Sequence, residues 1–476
     1  MNFWHYDGEV IVCCSFNLVQ ISDGNRDRPL PAHGNRGTSV HNSRMYKDKG
    51  SNVIDKRADA SGIAKSSCPS GRTRGGVSLA LENLDSASCH RRGLAARRIG
   101  RTIPGLAACA MIVLTSLAGT ALRCPADSPP PLPQVAADAT ALPVTISASD
   151  RHIRYVGRFD TTIPSGPRCE WSASSMDVRF QSNALNVMLN DTQGNNEYEV
   201  VVDGEPSAVL DVKAGLHAYN VFSANQAGIH TLSLVRRTEA FFGPTQFLGF
   251  QLPRGGKLDN LPKPNGHRIE VIGDSISCGF GNEGKDQNDP FTAQTENAYE
   301  TYGAITARTF DAQYTCIAWS GRLMWPTNTV PEIYDRSIPT EDNSTWDFSR
   351  WKPDVVVINL GTNDFRPGIP DQKGWTGGYE AFLARVRKNY PKAIIYCATS
   401  PMLYGKDWNT EKGYLTQIVA DETAEGDQRI RLLDVPTQDP ANGLGAQWHP
   451  NVKTHKLMAS QLIAVIASDL KWSALP

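Results

Sequence analysis

The chain has 476 residues, enough for two or three domains that each bury their own hydrophobic core. Its 48 Lys and Arg residues nearly balance 49 Asp and Glu residues, so the net charge of -1 gives no support to a nucleic-acid partner. Hydrophobic residues make up 40% of the chain, an ordinary share for a soluble protein. Any membrane contact would therefore have to come from a local segment.

Residues 1–90 are rich in Ser, Gly, Arg and Asn and show no apolar periodicity beyond a short run near Val10. Such a segment buries too little apolar surface to fold alone. We expect it to be either a disordered leader or the result of a start codon placed too early, and we favour the second because an export signal follows it.

The ten cysteines contain no C-x-x-C pair, so the sequence predicts no metal site, and nothing in it calls for a cofactor.

An apolar run over residues 103–122 has the three parts of an export signal. It ends in the small residues Gly119, Thr120 and Ala121, and it is preceded by a basic flank, Arg91, Arg92, Arg97, Arg98 and Arg101. The alternative is a transmembrane anchor, which Pro104 and Gly105 make less suitable. We therefore expect a signal peptide over 91–122, a secreted or periplasmic protein, and no membrane contact after the signal is removed.

A Pro- and Ala-rich linker over 123–143 separates this signal from a region of short alternating segments. Leu185, Val187 and Leu189 alternate with more polar neighbours, as on a strand that buries one face. Residues 198–202 lead into Asp203 and Gly204, a strong hairpin-turn signal. Several such strands without a helical period predict an all-β sandwich over 144–256.

From about residue 265 the pattern changes to alternating strands and helices. Short apolar runs occur at 269–272, 313–318, 355–360, 394–398 and 430–433. Helical stretches lie between or after them, at 298–309, 379–389, 414–424 and 452–470. Such alternation predicts an α/β domain over 265–476, with a doubly wound parallel sheet covered on both faces. The chemistry of these sheets gathers at the carboxyl ends of the strands.

Four residues at those strand ends suit acyl transfer. Ser275 follows the first strand, and its hydroxyl becomes a nucleophile when a base takes the proton. Gly321 and Asn363 follow the second and third strands, where a backbone N–H and a side-chain amide could join the N–H of Ser275 in an oxyanion hole. His449 precedes the last helix and could serve as the base. Each alone is as easily a turn or capping residue, but their coincidence on one rim favours catalysis.

These four residues resemble the four sequence blocks of the SGNH hydrolases. The phrases GRFD, RRTEAFFGPTQFLGF, IEVIGDSISCGFGNEG, ENAYETYG, AWSG and VINLGTNDF are similar to carbohydrate esterase family two, from about residue 151 to 470. The resemblance implies a jelly-roll domain joined to an SGNH-hydrolase domain. It also implies an acetylated polysaccharide or oligosaccharide as partner and the removal of acetyl groups from xylan, mannan or glucomannan, with a primary 6-hydroxyl as the first expected position.

The sequence departs from that pattern beside the histidine. Most SGNH enzymes carry an Asp three residues before it, where this chain has Ala446, and in this branch an acid often stands at the place of Gln447. Neither residue offers a carboxylate. We therefore predict a dyad of Ser275 and His449, with the ring N–H held by a backbone carbonyl or by Gln447. Asp434 is the one nearby acid at a suitable place in the sequence.

Aromatic residues next to the motifs could either stack on sugar rings or pack in the core: Trp319, Trp325, Phe365, Trp375 and Trp448. We expect Trp448, Trp319 and Asp274 to contact substrate. Three other functions remain open: a carbohydrate-binding protein without catalysis, a glycosidase that pairs Asp274 with Asp364, and a lipase-like esterase. The presence of both Ser275 and His449 favours the acetyl esterase.

Overall fold

The computed structural model describes residues 2–6, 9–13 and 143–475. The first two stretches are antiparallel strands β1 (Asn2–Tyr6) and β2 (Glu9–Cys13), with Asn2 opposite Cys13. The rest of the expected leader, the signal peptide and nearly all of the linker lie outside the described residues. Within those residues, no helix combines the length and apolar character needed to cross a bilayer.

Ten antiparallel strands build the first domain, and their central order is β5-β6-β11-β7-β10-β8-β9. Strand β3 pairs with β11, whereas β4 and β12 pair with β7, so the sheet continues a few residues beyond position 256. The strands are β3 (Val144–Ser147), β4 (Arg154–Val156), β5 (Phe159–Asp160), β6 (Arg168–Cys169), β7 (Ser175–Asp191), β8 (Glu197–Val202), β9 (Glu205–Asp211), β10 (Gly215–Arg236), β11 (Thr245–Leu252) and β12 (Lys257–Asp259). This confirms the all-β domain, called the β domain below.

Alternation of apolar side chains explains the core of the β domain. Leu185, Val187 and Leu189 on β7 are fully buried, while the residues between them are partly exposed. Each such burial contributes about 1.5–3 kcal/mol relative to an exposed side chain. The predicted hairpin joins β8 to β9 through Asp203 and Gly204, whose φ angles of 53° and 91° are both left-handed, as the tight turn requires.

Five parallel strands build the second domain, in the order β14-β13-β15-β16-β17. The elements are β13 (Arg268–Gly273), α1 (Ser275–Cys278), α2 (Tyr302–Thr309), β14 (Gln313–Ala318), α3 (Val330–Ile333), β15 (Val355–Asn359), α4 (Thr362–Phe365), α5 (Gln372–Asn389), β16 (Ile394–Ala398), α6 (Gly405–Ala424), β17 (Ile430–Leu433) and α7 (Val452–Leu470). The predicted doubly wound sheet is confirmed. Its strand order reverses beside β13, which places the end of β13 where such folds bind ligands.

Successive residues of the parallel strands feed two separate cores. On β15, Val356 packs in the core that includes Phe382 of α5, whereas Val357 packs in the core that includes Leu462 of α7. All five residues of β15 are buried, as expected for a strand covered on both faces.

Helix α5 begins seven residues before the predicted start at Tyr379. The early turns contain Gly374, Gly377 and Gly378, which have low helix propensity and hide the period. The structure offsets this cost because the carboxylate of Asp371 caps the helix, accepting the N–H of Gly374 at 2.7 Å. Tertiary packing of buried Trp375 anchors the same turn.

Charged and polar groups join the two domains. Arg158 of the β domain forms a fully buried ion pair with Glu270 of β13, 3.3 Å between nitrogen and oxygen. Arg168 pairs with Glu341 at 2.7 Å, and the indole of Trp171 donates to the carbonyl of Arg336 at 3.1 Å. Because a buried charge that loses its partner is costly, we expect the two domains to unfold together.

Candidate active site

The candidate nucleophile sits in a tight turn between β13 and α1. At Gly273 an added Cβ would lie 2.1 Å from the Oγ of Ser277, so only glycine fits. The carboxylate of Asp274 accepts the N–H of Ile276 at 3.1 Å and caps α1. Ser275 is then the first residue of the helix, 6% exposed, at the carboxyl end of β13.

His449 meets the serine across the rim of the sheet. Its Nε2 lies 2.9 Å from the Oγ of Ser275. Its Nδ1 lies 3.1 Å from the carbonyl oxygen of Gln447 and 3.3 Å from that of Ala446. Carbonyl oxygens only accept, so Nδ1 must carry the proton, which leaves Nε2 free to accept the serine hydroxyl. This tautomer is the one that a general base requires.

The segment before His449 has a strained backbone. Gln447 and Trp448 have φ angles of 50° and 67°, a left-handed region that residues other than glycine seldom adopt. Tertiary hydrogen bonds hold it: the N–H of Ala446 donates to the carbonyl of Gly281 at 2.8 Å, and the Nε2 of Gln438 donates to the carbonyl of Trp448 at 2.8 Å. The strained turn brings the Gln447 carbonyl to the imidazole ring.

Backbone carbonyls therefore stand where an acid usually stands. Gln447 contributes its main chain rather than its side chain to the histidine. Asp434 instead accepts a hydrogen bond from Lys412 at 2.6 Å and is half exposed. Among the described contacts, none joins Asp434 to His449. The dyad of Ser275 and His449 stays a prediction, and these contacts favour it.

Burial sets the protonation state of the candidate base. Loss of solvent, reinforced by the positive charge of Arg366, lowers the pKa of His449 to about 4, although its two carbonyl contacts act in the opposite direction. The ring of Phe280 covers it with 4.4 Å between ring centroids. The imidazole is consequently neutral at ordinary pH and able to accept a proton.

The two further oxyanion candidates follow the strands that flank β13. Gly321 comes after β14, is exposed, and has a left-handed φ of 76° with open space where a Cβ would point. Asn363 lies in α4 after β15, half-buried, and one N–H of its amide donates to the carbonyl of Arg322 at 2.9 Å. An amide carries two N–H donors, so the second remains for a ligand.

The aromatic residues next to the motifs divide into two groups. Phe365 and Trp375 are fully buried and belong to the core, so they do not contact substrate. Trp448 is 38% exposed beside His449, which leaves its indole open to a ligand. Trp319 is half-buried, and the guanidinium of Arg322 lies 4.6 Å above its ring. Trp325 is also half-buried, against the helix α5.

The acidic candidates serve the fold. Asp274 has no exposed surface, so the expectation that it contacts substrate is wrong, and burial raises its pKa to about 7. Asp364 accepts the N–H groups of Met324 and Trp325, each at 2.9 Å, and the indole N–H of Trp375 at 3.1 Å. Because Asp274 is fully buried and Asp364 is buried and occupied by these donors, the two carboxyls do not form a glycosidase pair.

Sequence reasoning missed a row of phenylalanine rings beside His449. Phe280 stacks on Phe291 with centroids 3.7 Å apart, and Phe291 lies 6.0 Å from Phe242 of the β domain. Phe242 in turn contacts Phe241, which is 58% exposed. The rings come from distant parts of the chain, and their one sequence signal is the Phe241-Phe242 pair.

One set of side chains among the described residues has metal-like spacing. Possible ligand atoms of Glu239, Cys278 and Glu296 all lie within 4.8 Å of one another. All three groups are fully buried, and burial raises each of their pKa values. Burial thus disfavours the ionised carboxylates and thiolate that a metal ion requires, and Cys278 and Glu296 instead share hydrogen bonds with Glu239.

A serine–histidine pair at the switch point of a doubly wound sheet, with Gly321 and Asn363 on the flanking strands, defines the class of SGNH hydrolases. Two family models match the chain in the same order as the two domains: Carbohydrate esterase 2 N-terminal at residues 155–262 and GDSL-like Lipase/Acylhydrolase family at residues 271–457.

Known proteins resemble both domains together. The Cellulase/esterase CelE of Acetivibrio thermocellus is 41% identical over 325 residues, 67% of this chain, and the match spans 40% of that protein's length. An Acetylxylan esterase / glucomannan deacetylase of Cellvibrio japonicus is 26% identical over 339 residues, 69% of this chain and 92% of that protein. A structure of a family two carbohydrate esterase from Clostridium thermocellum in complex with cellohexaose is 40% identical, with a TM-score of 0.65, and covers 67% of this chain and 99% of that one. The chain belongs to carbohydrate esterase family two.

Proposed function

We propose that this protein is a serine esterase that removes O-acetyl groups from plant polysaccharides through an acetyl-enzyme on Ser275. The observation that carries the proposal is the 2.9 Å contact between the Oγ of Ser275 and the Nε2 of His449, with the opposite ring nitrogen donating to backbone carbonyls. A neutral imidazole in this tautomer can activate a hydroxyl.

The chemical steps follow from this geometry. His449 takes the proton of Ser275 as its Oγ attacks the acetyl carbonyl, and the N–H groups of Ser275, Gly321 and Asn363 stabilise the oxyanion. The sugar hydroxyl leaves with the proton that His449 returns. Water, activated by the same base, then hydrolyses the acetyl-serine and releases acetate. The carbonyls of Ala446 and Gln447 keep the imidazole oriented and stabilise its charged form.

The proposed substrates are acetylated xylan, mannan or glucomannan, with acetyl on a primary 6-hydroxyl first among the positions, and the proposed site of action is outside the cell or in the periplasm. Two relatives support this: one is named for acetylxylan and glucomannan deacetylation, and the other was crystallised with cellohexaose. In this chain Trp448 exposes aromatic surface beside His449, and Phe241 exposes its ring at the far end of the row of phenylalanines, so sugar rings could stack on either.

The second candidate function is carbohydrate binding without catalysis. The related structure holds cellohexaose, which carries no acetyl group to remove, so binding alone is a possible role for such a site. A binding site alone, however, would not require a base held in the tautomer that faces the nucleophile. The paired Ser275 and His449 therefore favour the esterase.

The test is acetate release from defined acetylated mannan, glucomannan and xylan oligomers. We expect release by the wild-type protein and about 10⁴-fold or more loss in Ser275→Ala, which keeps its fold. An inactive wild type that still binds the deacetylated oligomers would support the binding protein instead.

A further inference from the structure

Glu239 of the β domain reaches into the loop that carries one oxyanion candidate. It follows β10 and is 1% exposed. One carboxylate oxygen accepts the N–H of Ser320 at 2.8 Å, and the other accepts the Oγ–H of the same residue at 2.5 Å. Both donors thus belong to the residue immediately before Gly321.

The backbone of Glu239 is itself fixed on both sides. Its N–H donates to the carboxyl of Glu296 at 3.1 Å, and its carbonyl accepts the Nη2 of Arg236 at 3.0 Å. Arg236 is fully buried and also donates to the carbonyls of Thr238 and Gly243. Glu239 is therefore held rigidly by its own domain while its side chain crosses to the other.

Gly321 needs such support. Its φ of 76° is left-handed, it is exposed, and open space lies where a Cβ would point, so Gly321 has no packing of its own against the described residues that would fix its orientation. The direction of the Gly321 N–H is set by the peptide plane between Ser320 and Gly321. Fixing the N–H and Oγ of Ser320 holds its Cα and the start of that plane in place, which leaves the ψ angle of Ser320 as the torsion that can still turn it.

We propose that Glu239 is a positioning residue for the oxyanion hole: through Ser320 it orients the N–H of Gly321 toward the developing charge. This rests on the proposed esterase function. It makes the β domain part of the catalytic apparatus through one buried carboxylate, although Glu239 itself touches no substrate. An oxyanion donor contributes to turnover only while it is aimed at the transition-state oxygen.

The chain supplies a matched control in Glu170. This glutamate of the β domain is also fully buried, and it accepts the N–H of Thr340 at 3.0 Å and its Oγ1–H at 2.7 Å across the same domain boundary. Thr340 lies between α3 and β15, and no described hydrogen bond links it to Ser275, Gly321 or His449. The two glutamates make the same contacts, but only Glu239 makes them beside the site.

The experiment measures kcat, KM and melting temperature on 4-nitrophenyl acetate for the full chain and its variants. Glu239→Ala should lower kcat by about 10²-fold with KM within about twofold, as for the loss of one oxyanion donor. Glu239→Gln, which retains an acceptor for the Ser320 N–H, should recover at least about tenfold of that loss. Glu170→Ala should lower the melting temperature by a similar amount and leave kcat within about twofold.

Ser320→Ala removes only the hydroxyl contact and should lower kcat by about fivefold to tenfold. In a double variant with Glu239→Gln the two losses should combine to less than their product, because both act through one contact. These two folded variants decide the question if Glu239→Ala does not fold.

Three outcomes would overturn the proposal. Equal kcat losses in Glu239→Ala and Glu170→Ala would show general domain destabilisation. Unchanged kcat in folded Glu239→Gln and Ser320→Ala would show that Ser320 needs no clamp. A wild type without Ser275-dependent turnover would instead overturn the esterase function and this role with it.

Discussion

The two sides of the dyad are built in opposite ways. Ser275 lies in a short turn whose geometry is local: Gly273 leaves room for Ser277, and Asp274 caps the helix that Ser275 begins. His449 follows two left-handed residues, Gln447 and Trp448, that long-range hydrogen bonds hold in place. A nucleophile can thus be positioned by neighbours in sequence, whereas this base depends on the whole fold.

Although Ser275 and His449 are positioned differently, we expect the loss of either residue to reduce catalysis to a similar extent. His449→Ala removes the base, and the serine hydroxyl is a weak nucleophile without one. We expect a loss of about 10⁴-fold or more in kcat, close to that of Ser275→Ala, because the two residues act as a unit. Steady-state kinetics with circular dichroism as the folding control would check it. A folded His449→Ala enzyme within tenfold of wild type would show that another group activates the serine.

The oxyanion donors lie between the two sides and should matter less. Asn363→Ala removes an amide whose first N–H holds Arg322 and whose second is free for the substrate. Loss of one such donor typically lowers kcat by about 10²–10³-fold. Asn363→Asp, of similar size but without the donor, should be at least as slow. Substrate binding, measured as KM, should change little in either, and a pure rise in KM would contradict the oxyanion role.

Sequence patterns recovered the elements on both sides of the dyad but not the contacts of individual groups. The strands β14, β16 and β17 and the helix α7 match their predicted bounds, because period and length are local properties. Asp274 was misassigned as a substrate contact, since a carboxylate beside a nucleophile looks the same in sequence whether it is buried or exposed. The carbonyl partners of His449 could not be identified individually, because every residue has a carbonyl and only the fold brings two to the ring.

Two further features could not be predicted from sequence: the row of rings from Phe280 to Phe241, and the contact of Glu239 with Ser320. Each joins residues from both domains. The hydrophobic period of one segment predicts its own secondary structure but not the residue that it contacts in another domain. Prediction from sequence therefore recovered most elements but not the contacts between the two domains. Both the phenylalanine row and the contact of Glu239 with Ser320 lie at this boundary.

His449 has no carboxylate partner among its described contacts, and this predicts a small effect for changes at nearby acids. In a complete triad, changing the acid to its amide costs about 10⁴ in turnover because the histidine tautomer is wrong. Here the carbonyls of Ala446 and Gln447 fix the tautomer, and Asp434 is engaged with Lys412. Asp434→Asn should therefore lose less than about tenfold in kcat, as should Asp439→Asn. A thousandfold fall in folded Asp434→Asn would mean that its carboxylate reaches the dyad during turnover.

The smallest expected effect is that of moderate acid on activity. A histidine with the ordinary pKa of about 6.5 would be mostly protonated at pH 5, and kcat/KM would fall about 25-fold from its value at about pH 7. With the pKa of His449 lowered to about 4, most of the imidazole stays neutral at pH 5, so we expect a fall below about twofold. The decline should appear only near pH 4.

Stability responds to the same protonation, but other groups obscure it. The folded-state pKa of His449 lies below its unfolded value, so the unfolded chain binds the extra proton and this residue makes folding less favourable as pH falls from about 6.5 to about 4. Asp274 and Asp364 act oppositely, because burial raises their pKa values to about 7 and about 6. The kcat/KM profile, measured where circular dichroism shows a folded protein, therefore reports on the base more directly than melting does. A midpoint near pH 6.5 would show that the imidazole is solvated in the working enzyme and that the carbonyl-held, buried geometry does not set its basicity.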